Sequence, residues 1–492
     1  MNLNVIIRSL GILVMLLGVG MGACLLLGEI VIVDREHAAR VDYNGWTQAI
    51  LITVLSGLFA YGFGKWKLKG QSDKRILRRE AITVVGLGWM VCSLFAALPH
   101  YLCVSGTTYT QAVFEACSGF TTTGSSIFPS VEHLPKTTLL WRSITQWMGG
   151  MGILGAFLLI FSGEARGKTL LSFESSIHGA DLSSTDLRTA MRKLWQVYSF
   201  LTVVCILGLW AMDMNLFQAI NHAMAATSTG GFGTENSSIT DFSNATKWWL
   251  ILFMALCGIS FPLYIAMWTK RSFTVIKRHE ETRWYLIIIM VASIILMIDH
   301  QVGDCKSCFV DNVFNVVTIL TTTGFVVGDY ETWPLMSQQV IMLLMVIGGC
   351  SGSTAGGLKV SRIMLWLRSM KNEIIRGFRP NVVLKLEMNG KAVQPEVVRS
   401  VYVVMAIAVF FFVTGSMAVS LLEPKMSAVG CASAVLSCMC NIGPAFAELG
   451  PTDSFGYLSS PTLGVLAGLM ILGRLEFIAV LVLFSRRLWR KY

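Results

Sequence analysis

Four short segments of the chain share a run of small polar residues around a glycine. They are GFTTTGSS at Gly124, ATSTGGFG at Gly230, LTTTGFVVG at Gly324 and CNIGPAF at Gly443. Threonine hydroxyls and successive backbone carbonyls can replace the hydration shell of an alkali cation, and glycine permits the backbone angles that aim carbonyls at a common axis. The chemistry that these segments suit is cation coordination without a carboxylate.

One Thr-Thr-Thr-Gly is an ordinary turn-like tetrapeptide, but the four copies recur with a period of roughly one hundred residues. Alignment of the copies on these glycines places Ser228 opposite Thr122 and Thr322, and it leaves the fourth copy degenerate. We predict a pseudo-symmetric, four-part selectivity filter for potassium. Its ligands are Thr122, Thr123, Gly124, Ser228, Thr229, Gly230, Thr322, Thr323, Gly324, Asn441, Ile442 and Gly443.

A polar segment of about ten residues precedes each strand and is too short to cross a bilayer as a helix. We expect re-entrant pore helices that enter from the outer side. Each is followed by a strand that lines a watery cavity, because naked backbone cannot face lipid. Glu115, His222 and Asn315 lie on these helices. Each is either an ion ligand or, as we favour, a hydrogen-bond partner that holds the neighbouring backbone in place.

The second spanning helix of the third copy is interrupted by five glycines within residues 348–357. A cytoplasmic linker would also fit, since Lys359 follows, but the apolar run 340–347 is too short to span by itself. We therefore place the stretch within the membrane, lining a cavity, and expect a broken helix in this copy only. The candidate gate residues of the stretch are Gly349, Ser351, Gly352, Ser353, Gly356 and Gly357.

Arg474 lies inside the last apolar segment, where an unpaired charge is costly and usually functional. We hypothesise that Arg474 projects into the cavity below the filter and repels cations there. The alternative is a structural salt bridge. Glu476 is not an assured partner, because residues two apart on a helix point to different faces.

The composition is that of a membrane protein. Of 492 residues, 54% are hydrophobic and 14% are charged, against roughly 25% charged in soluble domains. About ten apolar stretches have spanning length. The first, residues 6–33, continues past Cys24, so we interpret it as an uncleaved helix and not as a secretory or lipoprotein signal.

The net charge of +10 indicates topology and not nucleic-acid binding. Most of the 39 Lys and Arg residues fall in five segments, residues 65–79, 163–193, 270–283, 359–399 and 486–491. This positive-inside pattern places those segments in the cytoplasm. Membrane lipid or a cytoplasmic regulator are further interpretations of the basic segments.

These elements predict an all-α polytopic membrane protein around a central pore. Two leading transmembrane helices occupy residues 1–69. Four pseudo-repeated units of helix, pore helix, filter strand and helix occupy residues 70–180, 181–278, 279–385 and 386–492.

Other functions have weaker support in the sequence. A membrane-embedded enzyme needs convergent titratable groups in the apolar segments, and the sequence contains no such pattern. A proton-coupled transporter would use intramembrane carboxylates, for which Glu115 and Glu476 are the candidates. Cys305 and Cys308 permit a short disulfide on the outer side, but a redox or zinc role lacks the surrounding residues it would need.

The chain resembles the Trk/Ktr/HKT superfamily of potassium transporters, and within it the Trk-type bacterial membrane subunit. The resemblance covers nearly the full length. It is carried by SGFTTTGS, by QWMGGMGIL at residues 146–154, by TTTGF, by GGCSGSTAGGLK at residues 348–359, by NIGP and by GRLE at residues 473–476.

The resemblance implies potassium uptake across the bacterial inner membrane through a gated, channel-like pore, with a proton- or sodium-coupled symporter of the same fold as the alternative. It implies that the glycine-rich stretch is a loop that obstructs ions below the filter, and that glycine in all four copies selects potassium over sodium. It also implies a homodimer, a separate cytoplasmic nucleotide-binding regulatory subunit, and potassium ions with no covalent cofactor.

Overall fold

The computed structural model describes residues 2–32, 42–68, 78–161, 184–302, 309–382 and 384–489. Its only strands in these ranges form a two-residue hairpin, in which β1 (Glu387–Met388) pairs antiparallel with β2 (Lys391–Ala392). Cys305 and Cys308 lie outside the described residues, so their disulfide stays a prediction.

The two leading helices, α1 (Leu3–Val31) and α2 (Tyr43–Lys67), pack against each other through glycines. A Cβ on Gly11 would lie 2.5 Å from the backbone nitrogen of Tyr61, so a larger residue has no room there. Small residues of this kind let helices in lipid approach closely, where van der Waals contact drives their association.

The first unit contains α3 (Arg78–Ala96), the short α4 (Leu98–Cys103), the pore helix α5 (Tyr109–Phe120) and the long α6 (Lys136–Phe161). Within the described residues α6 is continuous, so this unit ends in an unbroken helix.

The second unit contains α7 (Ser184–Ala211), the pore helix α8 (Leu216–Ser228), α9 (Asn244–Cys257) and α10 (Phe261–Lys270). The axes of α9 and α10 differ by 86°. Pro262 lies in the first turn of α10, where its missing N–H is tolerated, whereas it would break a helix that continued from α9.

The third unit begins with α11 (Thr274–Arg278) and α12 (Glu280–Val302), and its pore helix is α13 (Phe309–Leu320). Its second spanning segment is divided into α14 (Leu335–Ile347) and α15 (Val360–Phe378) by the glycine-rich loop.

The fourth unit contains α16 (Pro395–Leu422), the pore helix α17 (Ala428–Cys440) and α18 (Ser460–Arg474). The following segment, which begins with α19 (Ile478–Leu481), turns 110° away from α18, and the described chain ends in α20 (Arg486–Trp489).

The expectation of a broken helix in the third unit only is wrong. The second and fourth units are broken as well, at Pro262 and at Glu476 and Phe477, whose φ values of 56° and 62° are left-handed and cannot continue a helix. Arg474 is therefore the last residue of α18 and not an interior one. Six helices of the described chain are long and apolar enough to span a membrane, or eight spans if each bent pair counts as one.

Candidate functional site

Each pore helix ends in the same way, with a non-glycine residue in the left-handed region. These residues have φ values of 51° to 57° and are Thr122, Thr229, Thr322 and Asn441. The N–H of the next residue in every unit donates to a helix carbonyl five positions earlier, at 2.8 to 3.0 Å. Because four independent segments repeat this geometry, it defines the equivalent positions of the four strands.

This geometry corrects the alignment of the second strand by one residue. Ser228 is still the last helical residue, and the left-handed glycine that corresponds to Gly124 is Gly231, with a φ of 78°, while Gly230 does not have a positive φ. The sequence alignment failed because two glycines are adjacent and the first completes a Thr-Ser-Thr-Gly match. The pore-helix spacing was the available signal, since Glu115, His222 and Asn315 each lie seven residues before the left-handed residue.

The four strands form one closed ring. A Cβ added to any of the left-handed glycines would lie closer than 3.0 Å to a carbonyl oxygen of the neighbouring strand. The pairs run in cyclic order through the units: Gly124 with Gly230, Gly231 with Thr323, Gly324 with Ile442, and Gly443 with Thr123. Two constraints therefore require glycine at these positions. Each has a positive φ, and a neighbouring carbonyl oxygen occupies the space that a side chain would need.

Two of the four left-handed residues carry a side-chain oxygen that lacks a hydrogen-bond partner in the described part of the chain. Thr122 Oγ1 and Asn441 Oδ1 are buried and have no hydrogen-bond partner among the described residues. A buried polar atom without a partner is costly unless a water or an ion satisfies it. Neutral oxygens of this kind suit a dehydrated monovalent cation.

A buried ion pair braces the first strand. Glu115 Oε1 accepts from Nε of Arg142 at 2.7 Å, and the other carboxylate oxygen accepts the N–H of Ile127, three residues beyond the filter glycine, at 2.8 Å. In the third unit, Asn315 Nδ2 donates to the carbonyl of Val327 at 2.7 Å. The preference for a bracing role over an ion-ligand role is therefore correct for Glu115 and Asn315.

Gln146 braces the second strand, a role that sequence patterns alone do not predict for it. Its Nε2 donates to the carbonyl of Gly230 at 2.5 Å, and its Oε1 accepts the N–H of Phe232 at 3.2 Å. The amide fills the space that a side chain on Gly230 would need. This contact explains why the second unit has glycine where the other units have Thr123, Thr323 and Ile442.

The outer loops also join the units in cyclic order. Each pair of neighbouring units is connected by a hydrogen bond: Val131 N to Asn236 Oδ1 at 2.8 Å, Ile239 N to Val326 O at 3.2 Å, Tyr330 Oη to Ala445 O at 2.7 Å, and Phe455 N to Ser126 O at 2.8 Å. Between the third and fourth units, Glu331 also accepts the N–H of Ala447, and burial raises the pKa of Glu331. The outer loops therefore link all four units around the strands.

The glycine-rich loop lies directly against the inner end of the ring. Gly356 N donates to Thr322 Oγ1 at 2.6 Å, Gly357 N donates to Cys440 O at 3.0 Å, and Thr354 Oγ1 donates to Thr227 O at 3.2 Å. These acceptors belong to units three, four and two. Since the pore helices end at these acceptors, the loop lies on the cytoplasmic side of the filter.

Within the loop, hydrogen bonds hold several of the predicted gate residues in place. Gly352 has a φ of 72° and its carbonyl accepts the N–H of Phe261, while Ser353 Oγ donates to Cys350 O at 2.6 Å. The carbonyl of Gly349 accepts the N–H of Val360 at 3.0 Å.

Glu281 of α12 clamps both ends of the loop. Its Oε1 accepts the N–H of Ser351 at 2.7 Å and that of Ser361 at 3.1 Å, and the hydroxyls of these two serines lie 2.6 Å apart. Glu281 cannot be linked to the loop from the sequence alone, because it is seventy residues from Ser351 in the chain.

Arg474 is 3% exposed, and none of its three guanidinium nitrogens has a hydrogen-bond partner in the part of the chain that the structure describes. Glu476 instead pairs with Arg362 of α15. The alternative of a structural salt bridge is therefore not found for Arg474 among the described residues, and the doubt about Glu476 as its partner is correct. A buried guanidinium without a counter-charge is an electrostatic barrier to cations nearby.

Known proteins are similar to this chain in sequence and in fold. The family model TrkH, described as cation transport protein, matches residues 48–491. The Trk system potassium uptake protein TrkH of Halomonas elongata is 32% identical over 100% of both chains, and that of Escherichia coli strain K12 is 28% identical over 100% of both. The crystal structure of the potassium transporter TrkH from Vibrio parahaemolyticus matches with a TM-score of 0.85 and 25% identity over 100% of both chains.

Proposed function

Because this chain belongs to the TrkH family of cation transport proteins, we propose that it takes up potassium across the inner membrane through the ring of four strands. The observation that carries the proposal is the cyclic contact of each left-handed glycine with the next strand's carbonyl. Four strands that close on one axis make a single pathway, and carbonyl and hydroxyl oxygens there suit potassium.

The ligand set that we propose differs from the sequence alignment in the second unit only. Thr229, Gly230 and Gly231 occupy the equivalent positions there, and Ser228 leaves the set. The other units keep the predicted ligands: Thr122, Thr123, Gly124, Thr322, Thr323, Gly324, Asn441, Ile442 and Gly443.

The gate that we propose consists of the loop 348–357 and Arg474. The loop contacts three of the four units at the inner end of the filter, and Arg474 adds an unpaired positive charge. The loop obstructs ions sterically, and the arginine repels them. Opening then requires the loop to leave Thr322 and Cys440.

The Trk system relatives favour a multi-part transporter. We propose that this chain forms a homodimer and that a cytoplasmic nucleotide-binding subunit moves the loop. Co-purification with such a subunit, and loss of nucleotide-responsive flux in its absence, test this part.

A coupled symporter of the same fold is the competing function. Neither carboxylate predicted to carry protons is unpaired, since Glu115 bonds Arg142 and Glu476 bonds Arg362. Glu281 is also occupied, by two backbone N–H groups. These pairings favour the channel-like pore.

Growth of a potassium-uptake-deficient cell at low potassium tests the proposal. Gly324→Ala places a methyl group against the carbonyl of Ile442, so rescue should be lost. The matched control is Gly328→Ala, because Gly328 also has a positive φ, of 68°, but its Cβ would meet nothing within 4 Å. Equal rescue by the two variants would contradict a filter role for Gly324.

A further inference from the structure

A cavity of about 620 Å³ lies on the cytoplasmic side, away from the pore, between α15, the β1–β2 hairpin and the start of α16. Three basic side chains line it, Arg376, Lys385 and Arg399, together with one acidic side chain, Glu373. The lining therefore carries a net positive charge.

Two of these cations lack a counter-charge. Arg376 bonds Glu373 at 2.7 Å, whereas neither Lys385 nor Arg399 has an ion-pair or hydrogen-bond partner among the described residues. The pair of free cations is available for an anion that enters the cavity.

The cavity follows a helix that has the length and composition of a membrane span. Helix α16 is such a span from Pro395 to Leu422, and Arg399 lies in its second turn, so we place Arg399 at the level of the cytoplasmic headgroups. Val403 and Ala406 also line the cavity, and Ala406 is about 10 Å deeper than Arg399 at 1.5 Å of rise per residue. The wall is thus basic at the surface and apolar below.

Helix α15 indicates that this region contacts lipid. It carries an exposed apolar stripe at helical spacing, Leu367, Met370, Ile374 and Phe378, on a helix whose other faces are rich in charge. These apolar side chains face away from Ser369, Asn372 and Arg376, which line the cavity, so α15 directs its apolar side to acyl chains and its polar side to the cavity.

We propose that the cavity binds an anionic phospholipid of the inner leaflet. Lys385 and Arg399 contact the headgroup phosphate, and an acyl chain follows Val403 and Ala406. A free phosphate ion would have no use for the apolar wall, and an acidic peptide of a soluble partner would not reach its depth. The site is independent of the potassium pathway.

Native mass spectrometry of the purified full chain tests the proposal by measuring the phosphatidylglycerol and phosphatidylcholine that remain bound. The test variant is Lys385→Gln/Arg399→Gln. The matched control is Lys277→Gln/Arg278→Gln, which removes the same charge from the exposed helix α11 on the same side of the membrane. We expect phosphatidylglycerol binding to fall by about thirtyfold in the test variant, because each basic residue near an anionic surface changes lipid binding by about fivefold. The control should bind as the wild type does.

A second variant, Ala406→Trp, fills the apolar wall and leaves both cations in place. It should also lose phosphatidylglycerol, and inorganic phosphate should not compete with the lipid in the wild type. Unchanged lipid binding in both variants would overturn the site. If inorganic phosphate displaced the lipid, Lys385 and Arg399 would bind a soluble anion and not a lipid. If the test variant no longer formed dimers, these two side chains would belong to a contact between copies of the chain.

Discussion

The backbone N–H of Gly356 donates to the hydroxyl of Thr322 at 2.6 Å, so the glycine-rich loop contacts a residue of the proposed filter directly. The equivalent hydroxyl of the first unit, that of Thr122, has no partner among the described residues. The loop therefore bonds to one side of a pseudo-symmetric ring. Any movement of the loop must alter the inner end of the filter at the same time.

Thr322→Val removes the acceptor of the loop contact and keeps the shape of the side chain. We expect a higher basal flux of rubidium into proteoliposomes, because the closed loop loses a hydrogen bond worth about 1 kcal/mol. Thr122→Val is the matched control, since it removes an equivalent filter hydroxyl with no loop contact. The same leak in both variants would mean that the loop contact does not hold the gate.

The register of the second strand predicts that two adjacent glycines differ in whether a second substitution can restore uptake. Gly231→Ala forces a methyl group into the carbonyl of Thr323 at a positive φ, and we expect it to abolish potassium uptake. In Gly230→Ala the three atoms nearest to the new methyl group all belong to the side chain of Gln146, so uptake should fall and then recover in the double variant with Gln146→Ala. The register would be contradicted if Gln146→Ala also restored potassium uptake in Gly231→Ala. It would also be contradicted if the two single glycine variants lost uptake equally.

Glu281→Gln tests the clamp on the loop. The amide keeps the shape but loses the charge that two N–H donors share, and hydrogen bonds to charged groups are worth about 1.5–3 kcal/mol. We expect a lower thermal midpoint and a raised basal flux. Glu280→Gln is the control, because its carboxylate bonds Arg368 and not the loop. A basal flux in Glu281→Gln equal to that of the wild type would contradict this role of Glu281.

Arg474→Gln removes the unpaired charge and keeps a polar side chain of similar length. A repulsion of about 1–2 kcal/mol on a nearby cation corresponds to roughly a tenfold change in rate. We therefore expect basal cation flux to rise by about that factor, whereas Arg474→Lys should stay near the wild type. Flux that responds equally to both substitutions would indicate a packing role and not an electrostatic one.

Repetition made the pore helices and the strands that follow them predictable from the sequence, whereas features that depend on long-range contacts were not predictable. The pore helices and three strands follow from local patterns, because each ends in a glycine that one backbone geometry requires. The alignment of the second strand is wrong by one residue because glycine is required at position 230 by contact with Gln146, which is more than eighty residues away in the chain. Pro262 was a visible sign of the break in the second unit, whereas the roles of Glu281 and Arg142 depend on partners in other elements.

The reversal potential of proteoliposome currents, with potassium on one side, sodium on the other and no pH gradient, tests the central claim most directly. A passive pore lined by the four strands predicts a potential near that of a potassium-selective membrane, and no potassium-selective current in Gly324→Ala. Equal permeability to the two ions, or a potassium flux that requires a proton or sodium gradient, would contradict it.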